Sequence, residues 1–504
     1  MDASVVSAPT RVVVVGGSVA GLATALFCAR GGSTVVVLDQ DAMATGSDDE
    51  PRRATPQAAH SHIFLARFRS LLLERAPDVL HALLDGGARE IDLRAARFAD
   101  APHANGLESS DDVIALACRR AVLESVVRRC LMDEPGVEIR AGVAVRGVSI
   151  DHAVGSPLVR GVRVEDGSLV EADVVVDASG RRSPFPGWLA EAGIDVPVEV
   201  VDCGITYVSR FFRLRPGSTP PPLNRGFTSG ASFDRYSCLV FPGDNDTFSI
   251  TFGTLPEDRD LRPLGEAAAF DRAVAAIPSL AWWADEKNVE PISAVRSMTG
   301  LKNRLRRYVV DGEPVVLGLA AVGDAIATTN PAHSRGTTLA FVHAAAVADA
   351  IAAYGSDMEG LADALDAAID AGLAPWFDDS VEQDMIRLSR WRPGGEQSAA
   401  VSGPTPSTRL TNSELYTVAQ VDADVWHHFA RLQNLIDTPD SVLGDARVAA
   451  TVRSRLTDGV RLPVAVAPSH DELAELLRDE LVATGRHGLH RRRGRMTTSA
   501  LRAS

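Results

Sequence analysis

The chain has 504 residues, more than one hydrophobic core organises, so two or three domains are expected. Its net charge of −15 argues against a nucleic-acid partner, because a polyanion would be repelled rather than steered in. No run approaches the roughly eighteen uninterrupted apolar residues of a membrane span, and no basic region precedes the first apolar run, so a cytoplasmic protein without an integral membrane span is expected.

The first element is an apolar strand, Val12–Val15, running through a glycine turn into an alanine-rich helix, Val19–Arg30. Gly16 permits the tight turn, and Gly21 lets helix and strand pack closely. The unpaired N–H groups at the helix start suit a pyrophosphate. Ser18 stands where a dinucleotide fingerprint usually has its middle glycine. A second strand, Thr34–Leu38, ends in Asp39, roughly twenty residues beyond the turn, where an acidic side chain suits a ribose 2′-hydroxyl. A plain strand-helix connection is the alternative reading of the same turn.

A polar connection, Asp41–Pro56, reads as a mobile loop. Helices follow over Ser61–Arg75 and Arg120–Met132. Short strands at Val137–Arg140, Val143–Ile150, Leu158–Glu165 and Val174–Asp177 read as a β-rich insert in a nucleotide domain. From Pro184 the pattern becomes that of an antiparallel sheet: Val200–Arg213, Phe227–Phe241 and Thr247–Phe252, the last two joined by Pro242-Gly-Asp-Asn-Asp246. It carries Tyr207, Phe211, Phe233, Tyr236, Phe241 and Phe252. Alternation sends half of these to a core and leaves half to roof a cavity, without fixing which half.

Val315–Val322 reads as a buried strand ending at Gly323-Asp324. Beyond a loop containing Asn330-Pro331, the small, apolar helix Gly336–Tyr354 should be buried on most sides. The remainder is helical, with apolar spacing in Met358–Ala371, Val381–Trp391, Thr417–Ile436 and Glu472–Ala483, interrupted by the Pro/Gly/Ser-rich Pro393–Thr408. A basic tail, Arg486–Arg495, reads as a frayed terminus rather than a binding arm. Cys28, Cys118, Cys130, Cys203 and Cys238 are odd in number, scattered, and read as reduced thiols. No cluster accompanies His60 and His62, so no metal site is expected.

Several motifs act together: the Gly16 turn, Arg120-Ala-Val-Leu-Glu124, Pro56-Gln-Ala-Ala-His-Ser-His62, Asp173-Val-Val-Val-Asp-Ala-Ser-Gly180, Gly323-Asp324 and Pro331-Ala-His-Ser-Arg-Gly336. Over roughly residues 10 to 355 they resemble the FAD-dependent monooxygenases of the p-hydroxybenzoate hydroxylase type, particularly the branch that includes polyketide and squalene epoxidases. The resemblance implies an α/β fold: an FAD-binding Rossmann-like domain of the glutathione-reductase type (1–183 and 296–354), an antiparallel β substrate domain (184–295) and a helical C-terminal region (355–504).

It also implies site roles. Gly16, Ser18, Gly21, Asp39, Arg120, Gly323, Asp324, Pro331, Arg335, Gly336 and Thr337 would bind FAD, Asp324 through the ribityl chain and Arg120 through the phosphates. His60, His62, Tyr207, Phe233 and Phe241 are substrate candidates. His333 is a candidate proton donor if its pKa is near neutral, or else a loop residue capping the following helix. Ser179 and Ser334 depart from the family pattern, Ser179 standing for an aspartate tied to FAD and NAD(P)H binding.

The implied reaction uses O2 and NAD(P)H, or electrons from a flavin reductase, to hydroxylate or epoxidise an apolar small molecule through a flavin C4a-hydroperoxide. A reductase of the geranylgeranyl type is one rival. An FAD-holding cyclase or binding module without redox turnover is another. A flavin halogenase is disfavoured because the chain lacks that group's W-x-W-x-I-P stretch.

Overall fold

A computed structural model describes residues 8–42, 55–93, 111–152, 155–223, 228–392, 409–461 and 465–478. At its centre is a five-stranded parallel sheet in the order Leu319–Ala321, Val174–Asp177, Arg11–Val15, Thr34–Asp39, Val137–Ala141. The valine runs follow from burial of both faces. Val13, Val15 and Val175 join one apolar cluster, while Val12, Val14, Val174 and Val176 join the other.

On the second face lie the helices Val19–Arg30, Arg120–Met132 and Gly336–Tyr354, with Phe27 edge-on to Phe341 at 6.4 Å. Gly336–Tyr354 is long and apolar enough to cross a membrane by length and composition. In the fold, 67% of its apolar window is buried.

The second large sheet is antiparallel, ordered Ser229–Ser232, Tyr236–Pro242, Thr247–Thr254, Thr206–Leu214, Val289–Pro291, and Arg296–Met298 also pairs with Thr206–Leu214. The single strand expected over Val200–Arg213 is two strands. Val198–Asp202 pairs with Lys302–Arg306 in a smaller sheet, and Thr206–Leu214 belongs to the large one. The break falls at Gly204, whose φ of 58° suits glycine and where an added Cβ would lie 2.6 Å from Leu388. The strand expected over Phe227–Phe241 is likewise a hairpin, closed where the Phe233 N–H donates to the Tyr236 carbonyl; Phe227 itself lies outside the described residues.

Three other expectations shift. Val137–Ala141 is an edge of the parallel sheet, so the β-rich insert reduces to the small antiparallel sheet Val145–Asp151, Leu158–Val164 and Leu169–Glu171. The apolar run Val315–Val322 is strand only over Leu319–Ala321, because the chain turns at Gly318 with φ 69°. The helix expected from Ser61 begins at Ala66, preceded by the short 3₁₀ turn Pro56–Ala59.

The C-terminal helices Ala374–Trp391, Asn412–Ala419 and Ala423–Gln433 place Trp376, Leu415 and Trp426 in one cluster with Val13 and Val175, while Met358–Gly372 divides, sending Leu361 and Leu365 to the cluster of the second face and Ile369 to that of the first. The single helix expected over Thr417–Ile436 is therefore divided. A last helical segment, His470–Arg478, packs Leu473 and Leu477 on the antiparallel sheet. Most of the Asp41–Pro56 connection, all of Pro393–Thr408, the end of the helix expected to Ala483, and the basic tail lie outside the described residues.

Candidate cofactor and substrate site

The carboxyl ends of the parallel strands and one face of the antiparallel sheet enclose a cavity of about 1200 Å³. That exceeds the roughly 300–1,000 Å³ usual for one drug-sized ligand. Carboxyl ends of parallel strands are where open α/β sheets bind ligands.

Bare backbone forms one wall. Gly16 has φ 112°, and a Cβ there would sit 2.4 Å from the Ala178 carbonyl oxygen. A Cβ on Gly21 would sit 1.8 Å from the Gly16 carbonyl oxygen. Gly323, with φ 58°, would place a Cβ 2.7 Å from that of Ala20. The two glycine segments, about three hundred residues apart in sequence, thus meet in one wall. At these positions the glycines let the turn, the first helix and the Gly323 segment pack against one another with no side chain between them, and the backbone of Gly16, Gly17 and Gly323 is left lining the cavity beside the start of the first helix, where a phosphate-bearing ligand fits.

Ser18 is more than a tolerated substitute for glycine. Its hydroxyl accepts from Arg120 Nη2 at 2.9 Å and donates to Glu124 Oε2 at 3.1 Å, fixing Arg120 beside the first helical turn. Asp39 ends its strand on the same wall and accepts the Asp41 N–H at 3.1 Å, while Arg128 donates to the Gly17 carbonyl at 2.7 Å. Asp324 lines the cavity next to Gly323. Burial raises its carboxyl pKa, opposed by the Arg120, Arg181 and Arg304 charges.

Ser179, at the departure from the family pattern, also has an evident role. With Ser183 it donates at 2.5 Å to the fully buried Asp177, whose pKa burial raises and these hydroxyls and the Ser179 N–H oppose. Ser179 supplies hydrogen bonds to an acid already present at 177.

The loop from Pro331 enters the cavity through Pro331, Ala332, Ser334, Gly336 and Thr337. Its backbone is unusual at Ser334, a non-glycine residue at φ 57°. Arg335 and His333 are not on the cavity wall. Arg335 turns into the interior, 1% exposed, and pairs with Asp379 at 2.6 Å while lying 4.8 Å over the Trp376 ring. Burial, then the Arg335 charge, pushes the His333 pKa down to about 4, far from the near-neutral value that a proton donor would use. Arg335 therefore braces the loop from behind instead of meeting a ligand, while His333 lies off the cavity wall with its Nε2 unpaired.

Behind the loop lies a polar network that the sequence reading missed. The fully buried Asn330 donates its N–H to Asn303 Oδ1 (2.8 Å) and its amide to Asp384 Oδ1 (2.5 Å), and its Oδ1 accepts from Ala332 N–H (3.0 Å) and the Tyr207 hydroxyl (2.6 Å). Ser380 and Asn303 complete it, Ser380 donating to Asn303 and Asn303 donating to Asp384, both at 2.8 Å. The helix Ala374–Trp391, beyond the reach of the family resemblance, therefore holds the loop. Buried polar groups so fully paired specify one conformation.

The antiparallel sheet settles the phase question. Tyr207, Ser209, Thr251, Ser237, Leu239 and Phe241 face the cavity. Tyr236, Phe248 and Phe252 face a separate apolar core. Phe233 packs 5.0 Å from Tyr236 on that core side and does not line the cavity, which removes it as a substrate contact. The expectation of an aromatic roof is corrected: apart from Tyr207 and Phe241, the cavity face is rich in hydroxyls. His60 and His62 do line the cavity. Burial, followed by nearby arginines, pushes their pKa values down to about 4 and about 3, so both rings are neutral at pH 7. Neither joins a metal-binding group among the described residues.

No protein-family model matches the chain. It is 29% identical over 373 residues to Protein Rv3254 of Mycobacterium tuberculosis, covering 69% of this chain and 74% of that one. Among solved structures it is similar to the Diels-Alderase PyrE3 of pyrroindomycin biosynthesis (TM-score 0.58, 21% identity, 85% of this chain and 81% of that one). It is similar to PqsL, a probable FAD-dependent monooxygenase of Pseudomonas aeruginosa (0.54, 18%, 76% and 97%). It is also similar to p-nitrophenol 4-monooxygenase PnpA of Pseudomonas putida (0.53, 15%, 90% and 99%). The chain thus has the fold of the FAD-dependent monooxygenases of the p-hydroxybenzoate hydroxylase type.

Proposed function

We propose that this protein is an FAD-dependent monooxygenase that places one oxygen atom of O2 into a small organic molecule, by hydroxylation or epoxidation, with NAD(P)H or a partner reductase as electron source. The observation that carries this reading is the contact of the two glycine segments at Gly323 and Ala20, which puts Asp324, Arg120 and the Pro331 loop on one cavity. When bound, FAD would supply the redox and oxygen chemistry.

The chain's own residues would then bind and orient. The Gly16–Gly21 turn and Arg120 would hold the pyrophosphate, Asp39 a ribose and Asp324 the ribityl chain. The start of helix Gly336–Tyr354 would favour negative charge on the ring system. The antiparallel sheet would cover the substrate and keep water out. In this division residues 1–183 and 296–354 serve FAD and residues 184–295 the substrate.

The test is oxygen uptake by the FAD-loaded protein with NADH or NADPH. Uptake coupled to an oxygenated product supports the reading, and turnover only without oxygen would indicate a reductase. A second reading has a specific observation behind it: the likeness to the Diels-Alderase PyrE3 favours an FAD-holding cyclase without redox turnover. Product formation with no flavin reduction would select it.

A further inference from the structure

A second, much smaller cavity of about 20 Å³ lies at the open edge of the parallel sheet. Residues of both core clusters line it, Tyr308, Val316 and Ile369 from one and Ala320 and Leu365 from the other, together with His343 and Asp366. It therefore sits beyond the strand Leu319–Ala321, which ends the sheet order and pairs with Val174–Asp177 on one side. The Gly318 carbonyl and the Val322 N–H bond to that neighbour, so by the alternation of a parallel ladder Leu319 and Ala321 turn their backbone groups to the open side. The same strand leads into Gly323-Asp324.

Three polar groups stand among these apolar neighbours. The Tyr308 hydroxyl, both ring nitrogens of His343 and Asp366 Oδ1 are buried without a hydrogen bond to any described residue, Tyr308 being 8% and His343 3% exposed. Asp366 Oδ1 has an ion pair with Arg307 Nη1 at 3.7 Å. Burial pushes the His343 pKa down to about 4 and the Tyr308 pKa up, so at pH 7 both are neutral groups that can give and take a hydrogen bond. A buried polar group without a partner carries its full desolvation cost. Ordered water relieves that cost, needing roughly 10–15 Å³ and two to four polar partners. The cavity has room for one molecule and offers it those partners.

We propose that this cavity is a binding site for one structural water molecule, held by the Tyr308 hydroxyl and the His343 ring against the open edge of strand Leu319–Ala321. The water closes the sheet edge that carries Gly323-Asp324, and ties the helix Gly336–Tyr354 to it through His343. The site is independent of whether the large cavity holds FAD.

Tyr308→Phe gives a test by sign, read by urea unfolding of the full-length chain. If the hydroxyl is bonded to a water, its removal deletes a hydrogen bond, and the unfolding constant should rise about three- to tenfold. If the hydroxyl is buried dry, its removal deletes an unpaired polar group, and the unfolding constant stays the same or falls. Either of those last two results overturns the proposal. A crystal structure of the full-length chain, at a resolution that shows ordered water, is the second measurement. It should place one water within hydrogen-bond distance of Tyr308 Oη and a ring nitrogen of His343, and a cavity without that water overturns the proposal whatever the unfolding constant does.

Discussion

The pair Arg335–Asp379 offers a quantitative test of how the C-terminal region supports the cavity. The side chains are 1% and 0% exposed and meet at 2.6 Å, and Asp379 also accepts from Gln383 and Asn412, each at 2.6 Å. Asp379→Ala leaves the guanidinium buried without its carboxylate, a loss of about 3–5 kcal/mol when a buried pair is broken from one side. Replacing both partners by apolar residues, Arg335→Met with Asp379→Leu, removes the unpaired charge, so the double variant should be more stable than Asp379→Ala. Urea unfolding followed by tryptophan fluorescence reads the difference, Trp376 being stacked on Arg335. Burial is the largest single effect and would raise the Asp379 pKa, but the Arg335 charge, His333 and the hydrogen bonds from Arg335 and Gln383 together hold it below the ordinary 3.8. The pair's stability is therefore complete above about pH 4 and lost as pH falls through the lower folded value. A single-variant cost under about 1 kcal/mol, or a double variant no more stable than the single one, would refute the reasoning.

Other expectations are simpler. Gly21→Ala forces a Cβ to 1.8 Å from a backbone oxygen and should cost at least about 1–3 kcal/mol and FAD retention. By contrast, Gly336→Ala meets nothing within 4 Å and should leave stability unchanged in the same urea assay. Asp324→Ala should weaken FAD binding measured by fluorescence titration, and unchanged affinity would remove its ribityl role. His343, buried with neither ring nitrogen hydrogen-bonded, has its pKa pushed by burial from 6.5 to about 4. The unfolded chain therefore binds its proton first, and stability should fall as pH drops from about 6.5 toward 4. His343→Leu should flatten that slope, and an unchanged slope would assign it to other groups.

The first glycine turn was legible because its requirements are local: a strand, a tight turn and close packing each name a residue type. Gly323-Asp324 was legible for the same reason, its place after an apolar run marking a strand end. The facing of the antiparallel sheet was not. Both of its sides carry aromatics, and only the packing of Phe248 and Phe252 into a separate core, which leaves Ser209 and Thr251 to the other face, decides which side meets the cavity. The break at Gly204 was hidden inside a run that alternates well on both sides. Arg335 and His333 looked like ligand contacts because they sit in the motif, yet on either side of the left-handed Ser334 neither lines the cavity, and Arg335 turns inward to Asp379. Asp379, Ser380 and Asp384 drew no reading from the sequence, where only the helical spacing of Val381–Trp391 stands out. Ser380 and Asp384 gain their role from Asn303 and Asn330, fifty to eighty residues away, and Asp379 from Arg335, and no local pattern announces either.

The most direct test of the central claim is the visible absorption spectrum of the purified protein, before and after incubation with FAD. The meeting of the Gly16 and Gly323 segments in one wall predicts oxidised-flavin absorption at one FAD per chain, retained through gel filtration and diminished in Gly21→Ala. A colourless protein that takes up no added FAD would contradict the account.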